Sequence, residues 1–365
     1  STDSKTLKML KIAISCVLVL LSVTLSTLAN RTLVLIDNFK VKESHSSFFR
    51  SLEDGGHALT YRLVDDANLN LNRYGEYLYD NVVIVSSNVE EFGGNIDAAK
   101  LVQFVDDGNN LFVATNSRVG AAMHELVLEF GVEIADDFND VVDHFNVVES
   151  LDDGSSRTFE IPTTHLIQNE LIVGNPPKSR KILYRGTALT PDPENTLLLP
   201  ILKSTTTSFL YDFQKNQNTQ TASTLNLISA MRARNNARVV VIGSVDFLSD
   251  DYVTNSDYAN GDVVTALSKW VFQSNGVLRV KSIVHYRQSD ATTPPAYTIM
   301  DDVVYRIEIE QKVGHVWAPF VAHDLQLEFV RIDPFVRVAL KPIKEQRGVF
   351  EARFRIPDIY GVYKF

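Results

Sequence analysis

The sequence has little cysteine and no excess of positive charge, and each absence excludes a class of protein. One cysteine occurs in 365 residues, which excludes a disulfide framework and a cysteine-based zinc site. Lys and Arg total 35 against 45 Asp and Glu, and this net charge of −10 argues against a nucleic-acid-binding surface. Hydrophobic residues make up 45% and charged residues 22%, as in globular proteins, so we expect a folded chain.

Motifs for catalysis and nucleotide binding are also missing. The chain contains no G-x-G-x-x-G, no G-x-x-x-x-G-K-[ST] and no G-x-S-x-G. None of its histidines forms H-x-H or H-E-x-x-H, the spacings typical of metal sites. These histidines are His45, His57, His124, His144, His165, His285, His315 and His323. We therefore predict no catalytic, cofactor-binding or metal-binding residues and no cofactor.

Residues 1–29 have the pattern of a secretory signal peptide. Three lysines precede an apolar run over residues 12–21, and the small residue Ala29 marks a cleavage point. A membrane anchor is the competing interpretation, but hydroxyl side chains in residues 22–27 weaken it. Cleavage would remove Cys16 and leave a mature chain with 32 basic and 44 acidic residues, held together by core burial alone.

Strand and helix patterns alternate from residue 32 to residue 130, which predicts an α/β fold over residues 30–276. Short apolar runs typical of buried parallel strands occupy residues 32–37, 58–63, 81–86, 110–115 and 238–243. Helical patterns occupy residues 44–52, 96–105, 119–130 and 260–274. We expect a mostly parallel sheet flanked by helices, of the amidotransferase or flavodoxin-like type. Residues 136–236 are expected to add later elements of the sheet with long loops.

Residues 277–365 change in character and contain no convincing helical pattern. Strand patterns occupy residues 277–285, 297–309, 325–332, 335–340 and 348–356, separated by turn residues. This alternation predicts a second, β-sandwich-like domain.

Two groups of residues are weak candidates for chemistry. Ser117 follows the fourth predicted strand, where amidotransferase-type folds place a nucleophile, but no histidine base is evident for it. The second group is an acidic cluster, Asp136, Asp137, Asp140 and Asp143. In a helix these side chains would share one face, where their carboxylates would suit a divalent cation. A solvated acidic face is the simpler interpretation of that cluster.

Tyr74, Tyr77 and Tyr79 form a third candidate group, between two predicted strands. Such rings suit stacking on a sugar or on a partner, although single aromatics more often belong to a core or an interface.

Ordered segments from both predicted domains resemble one known family. These segments are residues 31–38 (RTLVLIDN), 52–57 (LEDGGH), 238–249 (RVVVIGSVDFLS), 317–320 (WAPF) and 357–361 (PDIYG). Together they resemble the DDOST family, the 48 kDa subunit of the oligosaccharyltransferase complex. The resemblance covers essentially the whole chain after the predicted signal peptide.

This resemblance implies a non-catalytic subunit of a complex in the endoplasmic reticulum membrane. That complex transfers a preassembled glycan from dolichyl diphosphate to Asn in N-x-[ST] sequons. The implied partners are a catalytic polytopic subunit, ribophorin-type subunits and the small DAD-type subunit, with no nucleic acid. The family has a single membrane span after a large lumenal part, so we expect that helix to follow residue 365. No catalytic residues are carried over.

Two alternatives from other functional classes remain open. A lumenal, amidotransferase-like hydrolase would need a base beside Ser117. A module that binds a glycan or a peptide would line a groove with residues 74–79.

The position of the single N-x-[ST] sequon, Asn30-Arg31-Thr32, leads to a testable prediction. Signal cleavage after Ala29 would leave this sequon at a free N-terminus, where it is a poor acceptor. We expect the mature protein to carry no N-linked glycan and to keep its gel mobility after endoglycosidase treatment. A mobility shift would contradict this prediction.

Overall fold

The computed structural model describes residues 30–365 except 87, 221–223, 290, 314–315, 332 and 334. The predicted signal peptide therefore lies outside the described residues. The chain divides into two units, the first ending at Phe272 and the second beginning at Gln273. Within the described residues, no helix is both long and apolar enough to cross a membrane.

The first unit contains the helices and most of the strands. Its strands are β1 (Asn30–Ile36), β2 (His57–Leu63), β3 (Asn72–Arg73), β4 (Glu76–Tyr77), β5 (Asn81–Val85), β6 (Asn110–Ala114), β7 (Val132–Ile134), β8 (Asn139–Val142), β9 (Phe159–Pro162), β10 (Lys181–Tyr184), β11 (Leu189–Pro191), β12 (Leu198–Lys203), β13 (Phe209–Asp212), β14 (Gln217–Gln220), β15 (Asn226–Arg232) and β16 (Arg238–Ile242). Its helices are α1 (Lys40–Ser44), α2 (Ser46–Asp54), α3 (Ala98–Asp106), α4 (Ala121–Glu129), α5 (Glu170–Val173), α6 (Asp250–Val253) and α7 (Asn260–Val271), with 3-10 turns at Thr163–His165 and Asp246–Leu248.

A nine-stranded mixed sheet forms the centre of this unit. Strands β2, β1, β5, β6 and β16 lie side by side in that order and are all parallel. When only these five parallel strands are counted along the chain, their order is 2-1-3-4-5, which is the flavodoxin-like order. The predicted α/β fold is therefore confirmed. Strands β15, β11, β7 and β12 extend the sheet with antiparallel pairings.

The inner strands β1, β5 and β6 consist largely of buried apolar residues because helices cover the sheet on both faces. Successive residues of β1 point to opposite faces, so Val34 and Ile36 enter one core while Leu33 and Leu35 enter the other. Helices α2 and α7 cover the first face, where the rings of Phe48 and Phe112 lie 5.5 Å apart. Helices α3 and α4 cover the second face.

Where the structure describes the second unit, its regular elements are all strands, as the sequence predicts. They are β17 (Leu278–Arg287), β18 (Asp302–Val313), β19 (Val316–Pro319), β20 (Gln326–Val330), β21 (Phe335–Ala339), β22 (Lys341–Pro342) and β23 (Val349–Arg355). Five of them form an antiparallel sheet, and β20 pairs with β21 in a second layer. Phe329 of β20 and Phe354 of β23 belong to one core, with ring centroids 5.2 Å apart.

A loop of the first unit passes directly over the carboxyl end of β16. The backbone N–H of Thr187 donates to the carbonyl oxygen of Gly243 over 2.8 Å. A Cβ atom on Gly186 would lie 2.2 Å from that same oxygen, and one on Gly243 would lie 2.5 Å from the oxygen of Thr187. Only glycine fits at either position.

Gly186→Ala tests this close approach. The added methyl group forces the loop away from β16, and we expect the free energy of unfolding to fall by about 2–3 kcal/mol in urea denaturation. Gly108→Ala is the matched control, because Gly108 has a φ of +100° but open space around it. That control should lose only about 1 kcal/mol, the cost of a side chain in the left-handed region. Equal losses would mean that no clash exists.

Candidate functional site

Open α/β sheets bind ligands at the carboxyl ends of their parallel strands, so a ligand site in this fold is expected at this edge. Polar residues follow several of these strands, and two of them hydrogen-bond to neighbouring loops. Ser86 Oγ, after β5, donates to the Asp37 carboxylate after β1. Ser244 Oγ, after β16, donates to the carbonyl oxygen of Arg185 over 2.5 Å. These groups connect the loops to the sheet.

Ser117 lies at this edge without a base. Its side chain is 9% exposed, and no histidine or carboxylate in the described part of the chain hydrogen-bonds to its Oγ. The carboxylate of Asp137 instead accepts from the backbone N–H of Val119 over 2.9 Å. His124 lies 3.7 Å from the same carboxylate oxygen. The nucleophile–base pair that a hydrolase would need is therefore not assembled at Ser117.

The four aspartates do not share a helical face, because Asn139–Val142 is strand β8 rather than helix. The helical arrangement considered from their spacing is wrong. Asp136 and Asp137 are exposed, and Asp137 accepts the backbone N–H of Val119 just before α4. Asp140 and Asp143 are buried with different partners. Among the residues described, no three His, Cys, Asp or Glu side chains are close enough to hold a metal ion.

Asp143 is fully buried and organises the loop that follows β12. Its carboxylate accepts hydrogen bonds from the hydroxyl of Thr205, from Thr207 over 2.7 Å and from Ser208 over 3.1 Å. The side-chain amide of Asn146 donates to it over 3.0 Å. Burial raises the pKa of Asp143, but the hydrogen bonds from Thr205, Asn146 and Thr207 outweigh burial and hold it below its ordinary value.

A row of alternating charges begins beside this loop and continues along the carboxyl edge. Arg157 contacts Asp140 over 3.2 Å and Asp153 over 2.7 Å. Arg185 contacts Asp153 over 3.3 Å and Asp246 over 3.8 Å. We call these five residues the ionic row. It links β8, the loop before β9, the loop after β10 and the turn after β16, and each of its carboxylates has an arginine beside it.

Asp152, the neighbour of Asp153, shapes the loop that supplies Arg157. Its carboxylate accepts backbone N–H groups of Gly154, Ser156, Arg157 and Thr158 over 2.8–2.9 Å. Burial raises the pKa of Asp152, and these four hydrogen bonds lower it further than burial raises it. Asp152 therefore fixes the backbone of the loop, and Asp153 forms ion pairs with Arg157 and Arg185.

The structure separates the three tyrosines that the sequence groups together. The hydroxyl of Tyr77 donates to Asp107 over 2.6 Å and its ring packs edge-on against Phe104. Burial and the hydrogen bond to Asp107 raise the pKa of Tyr77 to about 12, so this residue has a structural role. Tyr79 is half-buried, and Tyr74 is 92% exposed at the tip of the β3–β4 hairpin.

A polar cavity of about 360 Å³ lies beside that hairpin, at the edge strand β2. It is lined by Arg62, Asn68, Leu69, Asn70, Asn72, Arg73, Leu78 and Tyr79. The sequence pattern indicates Tyr79 but not the arginines and asparagines of this lining. The missed signal is the alternation of asparagine and leucine over residues 68–72 (NLNLN), in which Leu69 and Leu71 are buried and the asparagines face outward.

Comparisons with known proteins agree with the two-unit organisation. Residues 23–274 match the family model of the OST48 N-terminal domain, and residues 285–365 match that of the OST48 middle domain. The α/β unit and the strand-rich unit therefore correspond, in this order, to two domains of OST48-type proteins. The chain belongs to the OST48 family, as the resemblance in its sequence predicts.

The relatives carry one common name, dolichyl-diphosphooligosaccharide–protein glycosyltransferase 48 kDa subunit. The Drosophila melanogaster protein is 45% identical over 360 residues, which cover 93% of this chain and 79% of the relative. The Danio rerio protein is 40% identical over 351 residues, covering 92% and 78%. The Caenorhabditis elegans protein is 38% identical over 355 residues, covering 93% and 79%.

Asp143→Asn tests the buried hydrogen-bond network. The variant keeps one acceptor oxygen but loses the charge, and we expect the free energy of unfolding to fall by about 2–4 kcal/mol at pH 7. Because the pKa of Asp143 is lowered in the folded state, its contribution is complete at neutral pH and is lost as acid protonates it. The difference from wild type should therefore shrink below about pH 4 in urea denaturation.

Asp136→Asn is the matched control for this experiment. Asp136 belongs to the same acidic cluster but is exposed, so the free energy of unfolding of the variant should stay within about 0.5 kcal/mol of wild type at pH 7 and at about pH 3. A loss for Asp143→Asn that stays constant from pH 7 to pH 3 would contradict the proposed role of the ionised carboxylate.

Proposed function

We propose that this chain is a non-catalytic, structural and assembly subunit of the oligosaccharyltransferase complex of the endoplasmic reticulum. In this proposal the complex transfers a preassembled glycan from dolichyl diphosphate to Asn of N-x-[ST] sequons, and another subunit performs the chemistry. The observation that carries the proposal is the 45% identity to a 48 kDa subunit, which extends over 93% of this chain.

The condition of the sheet edge supports a structural role. The acidic side chains of the ionic row are paired with arginines, the Asp143 carboxylate is occupied by hydroxyl and amide donors, and Ser117 has no base in the described part of the chain. A catalytic group needs a partner that moves its proton, and the paired charges here stabilise loops instead.

The proposal includes a location and a set of partners. The chain would sit in the lumen, anchored by a single membrane helix beyond residue 365, beside the catalytic polytopic subunit, ribophorin-type subunits and the DAD-type subunit.

The difference in net charge between the two units supports distinct contact surfaces on them. Residues 30–272 contain 33 Asp and Glu against 19 Lys and Arg, whereas residues 273–365 contain 11 against 13. The first unit therefore attracts basic partner surfaces more strongly than the second.

Co-purification tests the assembly role. Tagged full-length protein, isolated from detergent-solubilised microsomes, should recover the catalytic glycosyltransferase subunit. Depletion of the protein should lower sequon occupancy on a secreted reporter, and re-expression should restore it. Recovery of the tagged protein without the catalytic subunit would contradict the proposal.

Ser117→Ala tests the non-catalytic assignment in the same cells. Because no base hydrogen-bonds to Ser117 Oγ among the residues that the structure describes, the variant should restore sequon occupancy to the wild-type level and co-purify equally well. Normal co-purification with no restored occupancy would indicate that this chain takes part in the chemistry.

A further inference from the structure

Strand β17 of the second unit places apolar side chains on the core side of its sheet but leaves them exposed. Val280 pairs with Ile309 of β18, and Ile309 belongs to the core of this unit. Ile283 pairs with Ile307 in the same way, and directly paired side chains share one face of a sheet. Ile309 is only 8% exposed, whereas Val280 and Ile283 are 52% and 53% exposed. The described part of the second layer therefore covers β18 but not β17.

Strand β20, in the second layer, has an edge with free backbone groups. The backbone N–H and C=O of Val330 bond to Lys364 over 2.8 and 2.9 Å, as in an antiparallel pair. Backbone groups of successive residues point to alternate sides of a strand, so those of Glu328 and Gln326 point to the same side as those of Val330. Among the residues that the structure describes, these two have no backbone partner on that side. Lys364 is thus the first residue of a further pairing along β20.

The residue after Lys364 shows where that pairing lies relative to the first layer. The ring of Phe365 lies 4.9 Å from His285 of β17 and 5.0 Å from Tyr305 of β18, stacked on both. It also lies 5.1 Å from the ring of Phe329 of β20. The free edge of β20 therefore lies over β17 and β18, beside the exposed side chains.

The direction of the chain leads over those side chains. Strand β23 ends at Arg355, and the chain returns to place Phe365 over Tyr305 and its partner in β17. In an antiparallel pair with β20, the chain continues away from the end at which β23 leaves the sheet. The next inner pair along β17 and β18 contains Ile283, and the one after it contains Val280.

The edge of β17 itself is a poorer place for an added strand. A bulge interrupts its pairing between Val280 and Ser282, and the flanking Arg279 and Lys281 are charged. Bulges and charged side chains are the usual protection of an edge strand against pairing with another chain. The pairing of β20 with β21 has no bulge, so its free edge is regular.

We propose that the residues directly after Phe365 in the full-length protein form a third strand of the second layer, antiparallel to β20, and cover the inner face of β17. Phe365 points inward, so the side chains at positions 367 and 369 point inward too and are expected to be apolar. Because those residues belong to the same chain, the strand forms without the entropic cost of bringing two molecules together. This inference does not depend on the assembly role, and it assigns the inner face of β17 to the chain itself instead of to another subunit.

Cysteine labelling of the purified full-length protein tests whether this face is covered. Residues 30–365 contain no cysteine, so an introduced thiol in this region can be followed by its reaction with a maleimide. Ile283→Cys and Val284→Cys are a matched pair, because these neighbours point to opposite faces of β17 and are 53% and 49% exposed in the structure. We expect Ile283→Cys to react at least about tenfold more slowly than Val284→Cys. Equal rates would overturn the proposal.

A disulfide tests which segment provides the cover. The predicted register pairs Glu328 with position 366, and Cα atoms in such a hydrogen-bonded pair lie about 5.5 Å apart, a distance that a disulfide spans. Glu328→Cys together with a cysteine at position 366 should therefore form a disulfide within one chain, seen by mass spectrometry of the linked peptides. Gln326→Cys with the same second cysteine is the control. It is two residues out of register and should remain largely reduced.

The combined outcomes separate this proposal from its alternatives. A disulfide-linked dimer would mean that a second copy provides the strand, and protection of Ile283→Cys without the disulfide within one chain would mean that another subunit covers the face. Either result overturns the proposal. Both measurements use the purified protein, so they can fail while co-purification with the catalytic subunit succeeds, and the reverse.

Discussion

Burial of the parallel strands on both faces is the constraint on which the first unit depends. Strands β5 and β6 have no exposed residue, and β1 is buried from its third residue onward. Their alternate side chains enter two separate cores, so each core needs its own cover of helices. With no cysteine among the described residues, this burial supplies the cohesion that disulfides give many exported proteins.

The antiparallel half of the sheet changes what the carboxyl edge can do. In a purely parallel sheet this edge is the usual ligand crevice. Here the loop through Gly186 crosses the end of β16, and the ionic row ties it to β8 and to the loop before β9. The cost of partly burying these charges is offset because every carboxylate there has a cation or several hydrogen-bond donors beside it. Loops and paired charges occupy this edge, and a polar cavity lies away from it beside β2.

Much of the first unit could be predicted because its signals are local. An apolar run such as residues 110–114 has no solvent-facing side, and a helix such as α7 places its apolar residues three and four apart. The short strands between β7 and β15 gave weaker patterns, since β11 is three residues long and is defined by its two neighbours. For the acidic cluster, spacing along the chain was misleading because pairing of β8 with β13 imposed a strand.

The sequence by itself determined the fold class, the strand-rich character of the second unit and the family, because these rest on composition, periodicity and ordered segments. Only the tertiary structure decided what each polar residue does. Asp143 and Asp136 look alike in sequence, yet one is buried under hydroxyl donors and the other faces solvent. Tyr74 and Tyr77 differ in the same way. Partners distant along the chain set burial and hydrogen bonding, and these contacts leave no local pattern.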